Sequence, residues 1–94
     1  MALTTAEIET RIRSAYFQLA RKRQDWVGMV ALRALLTDIS RDEIDDTLRH
    51  MSRTDGRRVF LAPESCQIDL TQADRDAAVR FGGDDNHLLV ILPD

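Results

Sequence analysis

The chain has 94 residues, a length that suits one small domain, so we assign residues 1–94 to a single domain. An apolar fraction of 44% and a charged fraction of 31% are typical of a folded globular chain and exclude a disordered tail. The longest apolar run, Leu88 to Leu92, is far too short to cross a bilayer, and no signal-peptide core follows Met1. We therefore expect a small intracellular, cytoplasmic protein without a membrane partner.

Charge is distributed unevenly along the chain, although the net charge is only −3. Six basic residues lie between Arg11 and Arg33 against one acid, Asp25, whereas seven acids and two arginines lie between Val59 and the end. This asymmetry fits a basic face for nucleic acid, head-to-tail self-association, or two solvated faces without a special role.

Three segments of the sequence have similar patterns that are typical of helix N-termini. Thr4 precedes Glu7 and Ser40 precedes Glu43 with the spacing of a capping box, and Thr71 is a third candidate cap. Gly28 opens a further short helix, so with apolar residues at helical spacing the sequence predicts four helices, which span residues 5–22, 29–36, 41–53 and 71–81. The Gly82-Gly83 pair is interpreted as the stop of the fourth helix.

Short strands fill the segments between these helices. Alternating or continuous apolar residues predict strands at Trp26–Val27, Arg58–Ala62 and His87–Leu92. We expect Val59–Ala62 to pair antiparallel with His87–Ile91, and the first strand to lie beside them. Trp26 is expected in the core, and a base-stacking role is the less favoured alternative.

The tract Trp26–Leu36, followed by Ser40–Ile44, places a short strand, a helix, a turn and a second helix in succession. With the strands that follow, this order resembles the winged helix-turn-helix family of DNA-binding domains over most of the chain. The resemblance implies an α+β, winged-helix-like fold of about four helices and a small antiparallel sheet, in which a strand–helix–strand segment replaces the usual wing.

In that family the exposed front of the third helix enters the major groove of DNA. Here the same helix carries four acids in its first two turns, predicted to face outward, which would repel phosphates: Asp42, Glu43, Asp45 and Asp46. We therefore place any nucleic-acid contact on basic residues elsewhere. These residues are Arg21, Lys22, Arg23, Arg49, Arg53, Arg57 and Arg58.

Catalysis has little support in the sequence. The Asp84–His87 segment has the composition of an exposed turn and lacks the ligand positions of a calcium loop. Cys66 has no neighbouring cation or histidine that would activate it, and no glycine-rich phosphate loop is present. We predict that the protein is not an enzyme and that it uses no metal and no cofactor.

Two functions from different classes stay open. The first is a homodimeric nucleic-acid-binding regulator of transcription; the second is a winged-helix adaptor that docks on a protein. Phe17 points away from the apolar stripe of the first helix, so either another segment covers it or it belongs to a partner surface. The predicted interface residues for self-association or docking are Phe17, Leu88 and Val90.

Overall fold

Four helices and five strands are present in the structure, a computed structural model that describes residues 3–64 and 67–93. The helices are α1 (Thr5–Leu19), α2 (Met29–Ala34), α3 (Arg41–Thr54) and α4 (Gln72–Ala77), with a 3-10 turn at Gln67–Asp69. The strands are β1 (Val27–Gly28), β2 (Val59–Ala62), β3 (Val79–Phe81), β4 (Asp84–Asn86) and β5 (Leu88–Ile91). The predicted α+β class, with four helices and small antiparallel sheets, is confirmed. Cys66 lies outside the described residues.

Side-chain caps fix the helix starts where the sequence predicted them. The Thr4 hydroxyl accepts from the backbone N–H of Glu7 at 3.1 Å, and the Glu7 carboxylate accepts from the N–H of Thr4 at 3.0 Å. Ser40 caps α3, and Thr71 caps α4 in the same manner. α1 is the longest of these helices in sequence, with 15 residues, and no helix of the described ranges is long and apolar enough to cross a membrane.

A three-stranded sheet has the strand order β1–β5–β2, with β5 in the centre and antiparallel to both neighbours. In its register Val27 lies opposite Leu89, and Phe60 lies opposite Val90. The predicted pairing of these three segments is confirmed. Because β1 and β2 both run against β5, they are parallel to each other, and both begin at the end of the sheet where β5 finishes.

The hydrophobic core lies between the helices and the inner face of this sheet. Tyr16 of α1, Leu32 of α2 and Leu48 of α3 are at most 1% exposed, and Leu89 of β5 is fully buried with them. Leu48 therefore faces inward as the helical spacing predicted. α1, α2 and α3 cover only one face of the sheet, which leaves the alternate side chains of each strand on the other face.

The fourth helix begins after Thr71 as predicted, but its predicted end at residue 81 is wrong, because α4 ends at Ala77. The chain then forms a second, two-stranded sheet, the hairpin β3–β4. Its turn is Gly82-Gly83, with φ of 65° and 83°. Two consecutive residues with positive φ are the requirement of a two-residue type I′ hairpin turn, and glycine meets it without steric cost. The glycine pair is thus a hairpin turn and not a helix stop.

Asn86 holds this hairpin together from inside. Its side-chain amide donates to the carbonyl oxygens of Val79, Phe81 and Asp84 at 3.0–3.1 Å, and the residue is 4% exposed. A buried amide with its donors satisfied in this way stabilises a single turn geometry. The segment between β2 and β5 therefore contains a hairpin in addition to the predicted helix.

Candidate nucleic-acid interface

The loop after α1 presents three consecutive basic side chains. Ala20 leaves the helical conformation with φ −69° and ψ 131°, so α1 ends three residues earlier than predicted. The Asp25 carboxylate accepts from the backbone N–H of Arg21 at 2.9 Å, and the Tyr16 hydroxyl donates to the backbone oxygen of Asp25 at 2.7 Å. Burial raises the pKa of Tyr16, so its phenol stays protonated and keeps this bond. The loop is therefore held at both ends while Arg21, Lys22 and Arg23 remain exposed.

A second basic segment, residues 53–58, connects the end of α3 to the start of β2. The first loop leads into β1, and β1 and β2 begin at the same end of the sheet. The two basic segments therefore lie at one end of the sheet, although about 30 residues separate them in the sequence. Arg53, Arg57 and Arg58 are all exposed there.

Most of the thirteen lysine and arginine side chains have partners inside the protein. Arg11, for example, makes a two-bond ion pair with Asp38 at 2.8 and 2.9 Å. Five side chains make no ion pair or hydrogen bond with any residue in the described part of the chain, and all five come from the two basic segments. They are Arg21, Lys22, Arg23, Arg53 and Arg57, which we call the basic end.

Two further arginines of the predicted set lie differently. Arg58 stands next to the basic end, where its carbonyl oxygen accepts from the N–H of Leu92 at 2.7 Å. Arg49 lies apart from it, between α3 and β3. Its guanidinium donates to the carbonyl oxygen of Arg80 at 2.7 Å and to Asp46 at 2.9 Å, so its donors serve the fold.

The front of α3 is acidic, but Asp45 does not face outward as predicted. Asp45 is 7% exposed, and its carboxylate lies 2.6 Å from Nη2 of Arg33 and 3.5 Å from Nε of Arg41. The same two arginines donate to the carbonyl oxygens of Ala77 and Ala78, each at 2.9 Å. These bonds join α3 to α2 and to the end of α4. The exposed acids of this front are Asp42, Glu43 and Asp46.

The polar residues 84–87 serve the fold as well. Asp84 and Asp85 lie in β4, and Asp85 accepts from Arg80 at 3.3 Å across the hairpin. His87 is 8% exposed, and its Nδ1 accepts from the backbone N–H of Glu64 at 3.0 Å. The expected exposed turn at Asp84-Asp85 is in fact a paired strand, because Gly82-Gly83 makes the turn instead.

The three residues predicted for an interface differ in how far they are exposed. Phe17 is 48% exposed and packs edge to face on Tyr16 with the ring centres 5.1 Å apart. Leu88 is half-buried, and Val90 is only 4% exposed because β5 is the central strand of its sheet. Phe17 also lines a groove of about 310 Å³ that reaches the loop of Arg21–Gln24.

Two aromatic residues at the sheet are exposed: Phe60 was missed as a functional candidate, and for Trp26 a base-stacking role was the less favoured alternative. Trp26 was expected in the core, but it is 53% exposed, and Phe60 is 40% exposed. Their neighbours in the chain, Val27 after Trp26 and Val59 before Phe60, are buried in the core instead. This alternation along the strands is the sequence signal that identifies Trp26 and Phe60 as outward-facing.

Comparisons with protein-family models, with curated proteins and with solved structures found no match for this chain.

Proposed function

We propose that this chain is a winged-helix-like nucleic-acid-binding domain that contacts phosphates through the basic end and not through the front of α3. The observation that carries this proposal is that five exposed basic side chains are grouped in one part of the molecule. The five basic side chains without a partner among the described residues belong to two segments at one end of the sheet.

Electrostatics favours this surface over the family's usual one. A nucleic acid presents a dense line of phosphates, and binding is driven by cations that replace its condensed counterions. The basic end offers such cations in an exposed position. The front of α3 instead presents the carboxylates of Asp42, Glu43 and Asp46, the last of them paired with Arg49 at 2.9 Å, and these negative charges would repel phosphates.

The topology supports the family resemblance. A helix, a strand, two helices and a strand come first, and the last strand returns to the centre of a sheet of order β1–β5–β2. The resemblance to the winged helix-turn-helix family, together with the basic end, is what supports a regulatory role for the protein in transcription.

Charge reversal tests the proposal directly. An electrophoretic mobility titration at low ionic strength compares the parent with the double variant Arg21→Glu/Arg23→Glu. Its matched control is Arg75→Glu/Arg80→Glu, which changes the net charge equally near α4 and β3, at the opposite end of the sheet. We expect the first variant to lose the shifted band and the control to keep it. Equal loss in both variants, or no shift with the parent, contradicts the proposal.

A second candidate function, docking on a protein, is favoured by Phe17. Its ring is 48% exposed beside a groove, where a partner's side chain could pack on it. The homodimer predicted for the nucleic-acid-binding domain would use the same residue, and it stays a prediction. Sedimentation velocity at micromolar concentration tests it, with the prediction that Phe17→Ser converts a dimer to a monomer; a monomeric parent contradicts it.

A further inference from the structure

The outer face of the three-stranded sheet carries an aromatic residue on each side of its central strand. Phe60 of β2 lies directly opposite Val90 of β5. Val27 pairs with Leu89, so the antiparallel register puts the preceding residue, Trp26, beside Val90 on the other side. Trp26, Val90 and Phe60 thus lie in one row across the sheet, and we call this row the aromatic face.

The aromatic face lines a groove of about 440 Å³ whose other walls include Gln24 and Leu92. Trp26 and Phe60 remain 53% and 40% exposed in it, whereas Val90 between them is 4% exposed. Two large rings therefore flank a covered aliphatic floor. Flat, accessible rings of this kind are what a planar ligand requires for stacking.

Gln24 lines both this groove and the groove of Arg21–Arg23 beside Phe17, so the aromatic face borders the basic end. Trp26 follows the loop of Arg21–Arg23 within three residues, and Phe60 follows Arg57 at the same distance. Each aromatic residue thus follows one of the two basic segments along the chain, toward the middle of the sheet. Two acids lie in or beside these segments: the Asp25 carboxylate accepts from the N–H of Arg21, and the Asp55 carboxylate lies 3.7 Å from Nη2 of Arg13. A ligand on the aromatic face therefore meets rings in the groove and exposed cations next to it.

We propose that the aromatic face and the basic end together bind single-stranded nucleic acid, with bases stacked on Trp26 and Phe60 and phosphates on the basic end. This inference rests on the proposed function and specifies its ligand. Unpaired bases expose their faces to aromatic side chains, whereas the bases of a duplex are already stacked on one another. Cations next to aromatic rings complement a chain that alternates phosphates and bases, and this charge complementarity selects nucleic acid over an apolar protein surface as the occupant.

The chain contains one tryptophan, so its intrinsic fluorescence reports on Trp26 alone. The probes are an oligothymidylate and an oligouridylate of 20 nucleotides, and a mixed-sequence duplex of 20 base pairs. We expect the single strands to bind more tightly than the duplex and to quench the fluorescence on binding. The two single strands together also show whether DNA or RNA is preferred.

Variants of the two rings separate stacking from phosphate attraction. We expect Trp26→Ala and Phe60→Ala each to weaken single-strand binding about 10-fold to 100-fold, with duplex binding unchanged. Trp26→Phe keeps a ring and is expected to retain most of the affinity. Val30→Ala is the matched control, because Val30 is as exposed as Phe60, at 40%, but lies in α2. Circular dichroism verifies that each variant is folded.

The possible failures are distinguishable. If the duplex binds as tightly as the single strands, and neither ring variant nor the fluorescence responds, the stacking inference is overturned while the proposed function stands. If no nucleic acid binds at low ionic strength, both are overturned. If the ring variants abolish self-association of the protein and leave single-strand binding intact, the aromatic face is a dimer interface and the inference is overturned.

Discussion

The carboxylate of Asp45 lies 2.6 Å from Nη2 of Arg33, and this pair joins α3 to α2 in a largely buried position. Because of this pair, Asp45 adds no exposed negative charge to the front of α3. One of the four acids predicted to repel DNA is a structural residue, and the arginine that neutralises it comes from the basic stretch of the sequence between Arg11 and Arg33.

Removing Asp45 should therefore destabilise the fold. We expect Asp45→Ala to lower the free energy of unfolding by about 3 kcal/mol, because it leaves the Arg33 guanidinium buried without its counter-charge. Asp46→Ala, on the exposed side of the same helix, is expected to cost less than about 1 kcal/mol. Urea denaturation followed by circular dichroism measures both. Equal stability of the two variants would contradict this role of the pair.

Leu48 is fully buried at the centre of α3. We expect Leu48→Ala to cost about 2–5 kcal/mol, since it removes apolar contacts and leaves a cavity in a small core. The same urea denaturation measures this loss. A variant that unfolds at the parent's midpoint would show that α3 packs in another orientation.

The Gly82-Gly83 turn makes a third prediction. Gly83 has φ of 83°, and a Cβ added there has no atom within 4 Å, so the expected cost is backbone strain. We expect Gly83→Val to destabilise the protein by about 1–2 kcal/mol. Gly82→Asn is expected to be close to neutral, because asparagine tolerates positive φ in type I′ turns. The thermal unfolding midpoints of the two variants are compared with that of the parent. An unchanged midpoint for Gly83→Val would contradict the type I′ turn.

Stability should fall in acid as the helix caps are lost. Hydrogen bonds with Thr4 lower the pKa of Glu7 below its ordinary 4.5, and hydrogen bonds with Thr71 lower the pKa of Asp74 below its ordinary 3.8. Groups with a lowered folded-state pKa contribute stability that is present above the unfolded value and lost as the pH falls through the folded value.

We therefore expect the urea midpoint to decrease as the pH falls below about 4.5, toward the lowered values of the two caps. The variant Glu7→Gln replaces the titrating carboxylate with an amide whose oxygen still accepts from the N–H of Thr4, and it should show a smaller acid-dependent decrease than the parent. Identical pH profiles for the parent and this variant would contradict the contribution of the cap.

Local signals made most of the fold predictable. The caps at Thr4, Ser40 and Thr71 act over three residues, and the strands at 59–62 and 88–91 follow from short apolar runs. The end of α4 was missed because Gly82-Gly83 suits both a helix stop and a hairpin turn. The distinction depends on Asn86, whose amide bonds across the hairpin only once it has formed.

The candidate site was less predictable, because its arrangement depends on the topology. The sequence indicates which residues are basic, but not that Arg33, Arg41 and Arg49 serve the fold while the residues of the basic end have no partner among the described residues. Their grouping requires β1 and β2 to be parallel around β5. Trp26 was misplaced because β1 is only two residues long, too short for its alternation to be evident.

The most direct test of the phosphate-binding role is the salt dependence of affinity. Fluorescence anisotropy gives the dissociation constant for a labelled 20-nucleotide strand over a series of salt concentrations. We predict that the logarithm of the affinity falls linearly with the logarithm of the salt concentration, and that Arg53→Glu/Arg57→Glu makes this slope shallower. Arg75→Glu/Arg80→Glu should leave the slope unchanged. Absence of binding at low salt, or the same slope in the parent and both variants, would contradict a basic end that binds phosphates.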